Sequence, residues 1–164
     1  MIRTWTPEHG TPTPPGAVDY RTVKAWFQQC RTLAAEVEAQ RQKIQRIRDV
    51  AGKCTQSLSG MPGGGGGDKV GFAVEQLDTE RRKLQQMETD LCNLRIEATQ
   101  RAYSLSTNPE YAAAICEFYV NCKKQEEIAR EAGVYDRTVI HSRINRGCRM
   151  LAEIWDDFDK NRQK

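Results

Sequence analysis

Apolar residues recur at heptad spacing along two long stretches of the chain, and a glycine-rich break separates these stretches. The first runs from Val18 to about Ser57 and the second from Val70 to Leu105, with no proline inside either. This spacing places apolar side chains in one stripe on an α-helix, which is typical of a coiled-coil seam. The sequence therefore predicts two long helices that bury these stripes against other helices. In the first stretch the stripe comprises Val23, Trp26, Cys30, Leu33, Val37, Ile44, Ile47, Ala51, Cys54 and Leu58, and Gln40 interrupts it.

The break is the segment SGMPGGGGG at residues 59–67, and Asp68 follows it at a position suited to cap a new helix. Two helices of similar length joined by a short flexible loop are expected to fold back as an antiparallel pair, since each buries the stripe that the other exposes. The alternative is that the stripes pair between two chains and form a homo-oligomer. A flexible loop permits both arrangements, so the sequence leaves this choice open.

Prolines and glycines are concentrated near the start of the chain, where no apolar periodicity accompanies them. We expect residues 1–17 to form a disordered tail. The sequence predicts an all-α protein, with an antiparallel coiled-coil hairpin over residues 18–106, a small C-terminal helix-turn-helix domain over 107–159 and a short tail at 160–164. The six cysteines contain no CxxC pair and the two histidines are far apart, so we expect reduced thiols and no metal site.

The C-terminal domain has the sequence pattern of a helix-turn-helix. Asn108 and Pro109 are typical of the start of a first short helix. A second short helix is predicted from Glu126 to Ala132, where it buries Ala132, and Gly133 can adopt the left-handed conformation of the turn. Asp136 can then cap a last helix. Its apolar stripe consists of Ile140, Ile144, Cys148 and Leu151.

Polar and basic side chains, without any acid, occupy the opposite face of that last helix. The formal net charge of the chain is only +3, and the residues from Thr107 onward hold ten basic and ten acidic residues, so binding to an anionic partner would depend on this face. Residues near the start of a recognition helix contact base edges, whereas those at its flanks hold phosphates. We therefore predict a double-stranded DNA site with base-facing Arg137, Thr138, His141, Ser142 and Asn145 and phosphate-facing Lys123, Lys124, Arg143, Arg146 and Arg149.

The stretch QEEIAREAGVYDRTVIHSRINRGCRML resembles region 4 of sigma factors, and its TV..SR.NR pattern is similar to the extracytoplasmic-function group. The preceding hairpin, with SLSGMPGGGGGDKVG, resembles phage and prophage proteins of Gram-positive bacteria that are grouped with late-gene transcriptional activators of the RinA and ArpU type. The resemblance covers roughly residues 20–155. It implies promoter binding by a helix from Arg137 to Arg149, with Thr138, Ser142 and Arg143 at motif positions, and a contact with host RNA polymerase.

Other functional classes fit the sequence less well. The glycine run ends in GGDKV, where a phosphate-binding loop has GK followed by Ser or Thr, and no histidine lies beside a plausible nucleophile, so we expect neither an enzyme nor a cofactor. No apolar run suits a membrane span or a secretion signal, so we expect the protein in the bacterial host cytoplasm, associated with the nucleoid. The competing hypotheses are a coiled-coil protein-interaction module and a phage packaging protein similar to terminase small subunits, which usually place the DNA-binding domain first.

Overall fold

The computed structural model describes residues 18–57 and 67–161, and within these ranges all regular structure is helical. The all-α prediction is therefore confirmed for them. The predicted N-terminal tail and all of the predicted glycine-rich loop except Gly67 lie outside the described residues. None of the described helices is both long enough and apolar enough to span a membrane. The helices are α1 (Tyr20–Ser57), α2 (Gly67–Tyr103), α3 (Pro109–Ile115), which a π-helical turn (Cys116–Val120) continues, α4 (Gln125–Glu131) and α5 (Arg137–Asn161).

The long helices α1 and α2 pack side by side and run in opposite directions. Near the start of α1, the Trp26 ring lies 4.8 Å from the guanidinium carbon of Arg101, close to the end of α2. Farther along α1, Arg41 forms an ion pair with Glu88 at 2.7 Å. Residues with higher numbers on α1 therefore contact residues with lower numbers on α2, as in an antiparallel pair. The heptad stripes face each other along this contact, since Val37, Ile44 and Leu91 are buried.

Gln40, the polar residue that interrupts the stripe of α1, is buried and its amide finds partners on α2. Its Nε2 donates to the backbone oxygen of Glu80 at 3.2 Å and to the Oε2 of Glu80 at 2.6 Å. Lys43 pairs with the other carboxylate oxygen of Glu80. The hydrogen bonds from Lys43 and Gln40 lower the pKa of Glu80. Both hydrogen bonds of Gln40 go to Glu80, and a shift of one helix along the other would break them. This buried polar contact therefore favours the observed register of α1 and α2 over shifted registers.

The main hydrophobic core joins one end of the α1–α2 pair to all of the later helices. Residues from the start of α1, the end of α2, α3 with its π-helical turn, α4 and α5 contribute to it. The core is thus continuous on both sides of residue 107, where the sequence places a boundary between hairpin and C-terminal domain. Its largest fully buried side chains are Phe27, Ile115, Ile140, Leu151, Val23, Cys30 and Cys148.

Arg101 is buried within this core although it is charged. Its guanidinium group lies against both Trp26 and Trp155, at 4.8 and 4.4 Å from the ring centres, and the two indole rings contact each other edge to face with centres 5.4 Å apart. Its Nη2 also pairs with Glu97 at 3.0 Å, one helical turn earlier on α2. The cation and the two indole rings attract each other, and the contact links α1, α2 and α5.

Several details of the C-terminal helices differ from the sequence prediction. Ala132, expected to be buried, is exposed, because α4 ends at Glu131 and the chain turns away from the core there. Asn108 precedes α3 as expected, but its side chain makes no capping hydrogen bond and donates to the Thr107 hydroxyl at 3.0 Å. The predicted start at Pro109 is confirmed.

Five cysteines are free thiols in widely different environments: Cys30, Cys92, Cys116, Cys122 and Cys148. Burial raises the pKa of Cys30 and of Cys116 to about 11 and that of Cys148 to about 12. A thiol with such a raised pKa is inert at neutral pH, because its thiolate is rare there. Cys92, on α2, is exposed.

Candidate nucleic-acid interface

The turn between α4 and α5 has the hydrogen bonds of a Schellman motif. Gly133 takes a left-handed φ of 67°, as its sequence position predicts. The Val134 N–H donates to the Ala129 oxygen at 2.8 Å, and the Gly133 N–H donates to the Arg130 oxygen at 3.2 Å. These two bonds satisfy carbonyls at the end of α4 and redirect the chain sharply. The relative direction of α4 and α5 is therefore set by local backbone structure.

Asp136 caps the start of α5, which confirms its predicted role. Its Oδ1 accepts a hydrogen bond from the backbone N–H of Thr138 at 2.8 Å. This bond stabilises the carboxylate and lowers the pKa of Asp136. The carboxylate lies against the positive end of the helix, so its negative charge is partly offset where the exposed basic residues of α5 begin.

The buried stripe of α5 sits unusually close to α3, because a glycine lies at the contact. A Cβ atom added to Gly147 would lie 2.8 Å from the Ile115 Cδ1 atom and 3.2 Å from the Tyr111 Cβ atom. Gly147 therefore allows the two helices to approach and fixes the rotation of α5 about its axis. The remaining buried residues of the stripe are Ile140, Ile144, Cys148 and Leu151, as the sequence predicts.

The side of α5 opposite the buried stripe carries Thr138, Ser142, Asn145, Arg146 and Arg149, and from Arg137 to Arg149 the helix contains no acid. The residues differ in how far they extend from the surface. Ser142, Arg143 and Asn145 are half-buried. The exposed residues are Arg137, Thr138, His141, Arg146 and Arg149.

The start of α1 covers one edge of this face, a contact that the sequence does not reveal. The Lys24 ammonium group donates to the Asn145 Oδ1 at 2.9 Å. The Arg149 guanidinium lies 5.2 Å from the centre of the Tyr20 ring. Asn145, predicted to face a base, thus accepts a hydrogen bond from Lys24, whereas Thr138, His141 and Arg146 are exposed to solvent.

The lysines expected to hold phosphates differ from each other in the structure. Lys123 pairs with Glu117 at 2.8 Å and with Glu131 at 2.6 Å, and these two carboxylates raise its pKa. Its charge is already balanced within the protein. Lys124, by contrast, is exposed just before α4. Arg137 forms an exposed pair with Glu126 at 3.0 Å, and such a pair separates at little cost.

Two apolar side chains beside the basic face are missing from the sequence-based site. Tyr135 is fully exposed in the turn before α5, and Val139 is 37% exposed in the first turn of the helix. Val139 lies off the buried stripe, and this departure from the apolar spacing is the signal in the sequence that could have identified it. Apolar groups at such positions can contact thymine methyl groups in the major groove.

Comparisons with known proteins add no relative to this picture, since no protein-family model, curated protein or solved structure matches the chain.

Proposed function

We propose that the protein is a sequence-specific DNA-binding regulator of transcription. In this proposal α4, the Schellman turn and α5 form a helix-turn-helix, and α5 enters the major groove with its first half. One observation carries the proposal: an acid-free basic face, opposite the buried stripe of α5, directly follows a glycine turn and a short preceding helix. A helix in that position presents its early residues to base edges.

Each residue of the candidate interface has a chemical role in this proposal. Arg137, Thr138, His141 and Ser142 hydrogen-bond to base edges, and Arg137 leaves Glu126 to do so. Their neighbour Val139 packs on thymine methyl groups. The phosphate backbone is held by Lys124, Arg143, Arg146 and Arg149. Asn145 and Lys123 already have partners within the protein, so they contribute less to DNA binding in this proposal.

The resemblance to sigma region 4 and to RinA- and ArpU-type activators sets the biological context that we propose. The chain then acts in the bacterial host cytoplasm at the nucleoid, as an activator of phage or prophage late genes that also contacts host RNA polymerase. In this proposal the α1–α2 pair is a coiled-coil hairpin that separates the DNA-binding helices from the site that contacts RNA polymerase.

A second candidate function is a protein-interaction module built on α1 and α2. Large apolar side chains are exposed on these helices, among them Phe72 (69%), Val50 (63%) and Ile96 (53%). Where exposed apolar side chains form a contiguous patch, they mark a site where another protein packs. In this case the basic face of α5 is a solvated surface without a DNA ligand.

Fluorescence anisotropy of the whole chain on duplexes from around its own gene separates the two candidates. We expect tight binding to few duplexes, with a steep dependence on salt. The double variant Arg143→Ala, Arg146→Ala should flatten the logarithmic salt dependence by up to roughly two units, about one per lost phosphate contact. The matched control is Arg46→Ala, Arg48→Ala, which removes the same charge from exposed positions on α1. Equal binding by all three chains would refute the proposal.

A further inference from the structure

A cluster of cationic side chains forms where the start of α1 crosses α5. Arg21 and Lys24 come from α1 and Arg149 comes from α5, so no single segment of sequence contains the cluster. Arg149 stacks at 5.2 Å from the Tyr20 ring centre, and Lys24 reaches Asn145 at 2.9 Å. Hydrogen bonds from Arg21 and, to a smaller extent, from Arg149 lower the pKa of the Tyr20 phenol.

The contacts within this cluster leave donors available to a ligand. Lys24 uses one N–H of its ammonium group on Asn145, and an ammonium group has three. Arg149 lies over the Tyr20 ring, and because a guanidinium group has five N–H donors, a contact with one phenol leaves others available. Arg21 and Arg149 are exposed. Asp19 precedes the cluster and helps to raise the pKa of Arg21, but it is also exposed and such a pairing is weak.

The cluster lies beside the second half of α5, away from the residues proposed to contact bases. At the ordinary helical rise, Arg149 is about 18 Å along the axis from Arg137. The major groove is about 12 Å wide, so a helix that enters it with its first turns returns to a phosphate strand near its far end. The cluster faces that strand with three cations from two helices.

We propose that the start of α1, through Arg21 and Lys24, binds the phosphate backbone of duplex DNA together with Arg149, next to the bases that α5 contacts. This inference rests on the proposed function, because it needs α5 in the groove. It adds a second DNA-binding element from the opposite end of the chain. Its contacts are with phosphates, so they raise affinity for any sequence equally.

The test compares the full chain with Arg21→Gln, Lys24→Gln, which removes two charges from the cluster. Anisotropy is measured over a salt series on the duplex that the unaltered chain binds best and on an unrelated duplex. We expect the logarithmic salt slope to fall by roughly two units on both duplexes, so that the ratio of the two affinities is kept. The control Arg46→Gln, Arg48→Gln changes the net charge equally on exposed positions of the same helix and should leave the slope unchanged.

Hydroxyl-radical footprinting of the same complexes locates the contact. With Arg21→Gln, Lys24→Gln, the DNA backbone that flanks the bases contacted by α5 should lose its protection, and the backbone at those bases should keep it. Arg21→Gln alone, at an exposed position, should show about half of the slope change and guards against misfolding caused by loss of the Lys24 hydrogen bond.

Each negative result has a distinct meaning. An unchanged slope and footprint for the cluster variants, alongside a reduced slope for Arg143→Ala, Arg146→Ala, would overturn this inference and leave the proposed function standing. An unaltered chain that binds no duplex at low salt would overturn both.

Discussion

The two ends of the α1–α2 pair carry similar apolar side chains but bury them very differently. At one end Phe27 is fully buried in the core that it shares with α3, α4 and α5. Toward the other end Phe72 is 69% exposed and Val50 is 63% exposed. Two helices can bury only the stripes that face each other, whereas further helices packed against them cover the flanks as well. The first end therefore has a three-dimensional core and the second has a seam.

This difference gives the two ends separate tasks. The shared core fixes the position of α5 through contacts with the start of α1 and the end of α2, so the candidate DNA interface depends on residues more than a hundred positions away in sequence. The seam at the other end is held by Gln40 and by exposed ion pairs such as Arg41 with Glu88. Substitutions at the two ends should therefore have very different consequences.

The largest contrast is expected between two phenylalanines. Phe27→Ala should lower the free energy of unfolding by about 3–5 kcal/mol, because it removes a fully buried ring and leaves a cavity. Phe72→Ala should change it by less than about 0.5 kcal/mol, because that ring is largely in contact with water already. Urea unfolding followed by circular dichroism measures both variants against the unaltered chain.

The same pair of variants also tests the oligomer alternative. A loss of more than about 1 kcal/mol for Phe72→Ala that grows with protein concentration would mean that a second copy covers this ring. A small effect of Phe27→Ala would contradict the shared core itself.

The sequence predicts the helices well because their signals are local. Heptad spacing marks α1 and α2, and Gly133 and Asp136 act through hydrogen bonds to residues at most four positions away. The packing of α1 on α5 is different, since nothing in the spacing of α1 distinguishes residues that face α2 from those that face α5. For this reason the sequence predicts neither Lys24 near the site nor its hydrogen bond to Asn145.

The arginines of the two ends provide the second contrast. Arg101→Met should lower the free energy of unfolding by about 3 kcal/mol, because it removes a buried cation from its contacts with Trp26 and Trp155 and leaves half-buried Glu97 without this partner. The control Arg41→Met breaks an exposed pair with Glu88 and should cause no measurable loss.

Thermal unfolding at two salt concentrations checks this contrast. The effect of Arg101→Met should persist at high salt, since the buried contacts are poorly screened. Equal effects of the two substitutions would mean that the indole rings contribute nothing to holding Arg101.

The smallest contrast is between two glycines, and there the sign should reverse. Gly147→Ala should destabilise the protein by about 1–3 kcal/mol, because the added methyl group would meet Ile115 Cδ1 at 2.8 Å and push α5 away from α3. Gly52→Ala should stabilise it by about 0.5–1 kcal/mol, because the site has open space and alanine favours a helix. Chemical denaturation gives both values. A stabilising Gly147→Ala would mean that α3 and α5 can separate freely, and α5 would then lack a fixed rotation for contacting bases.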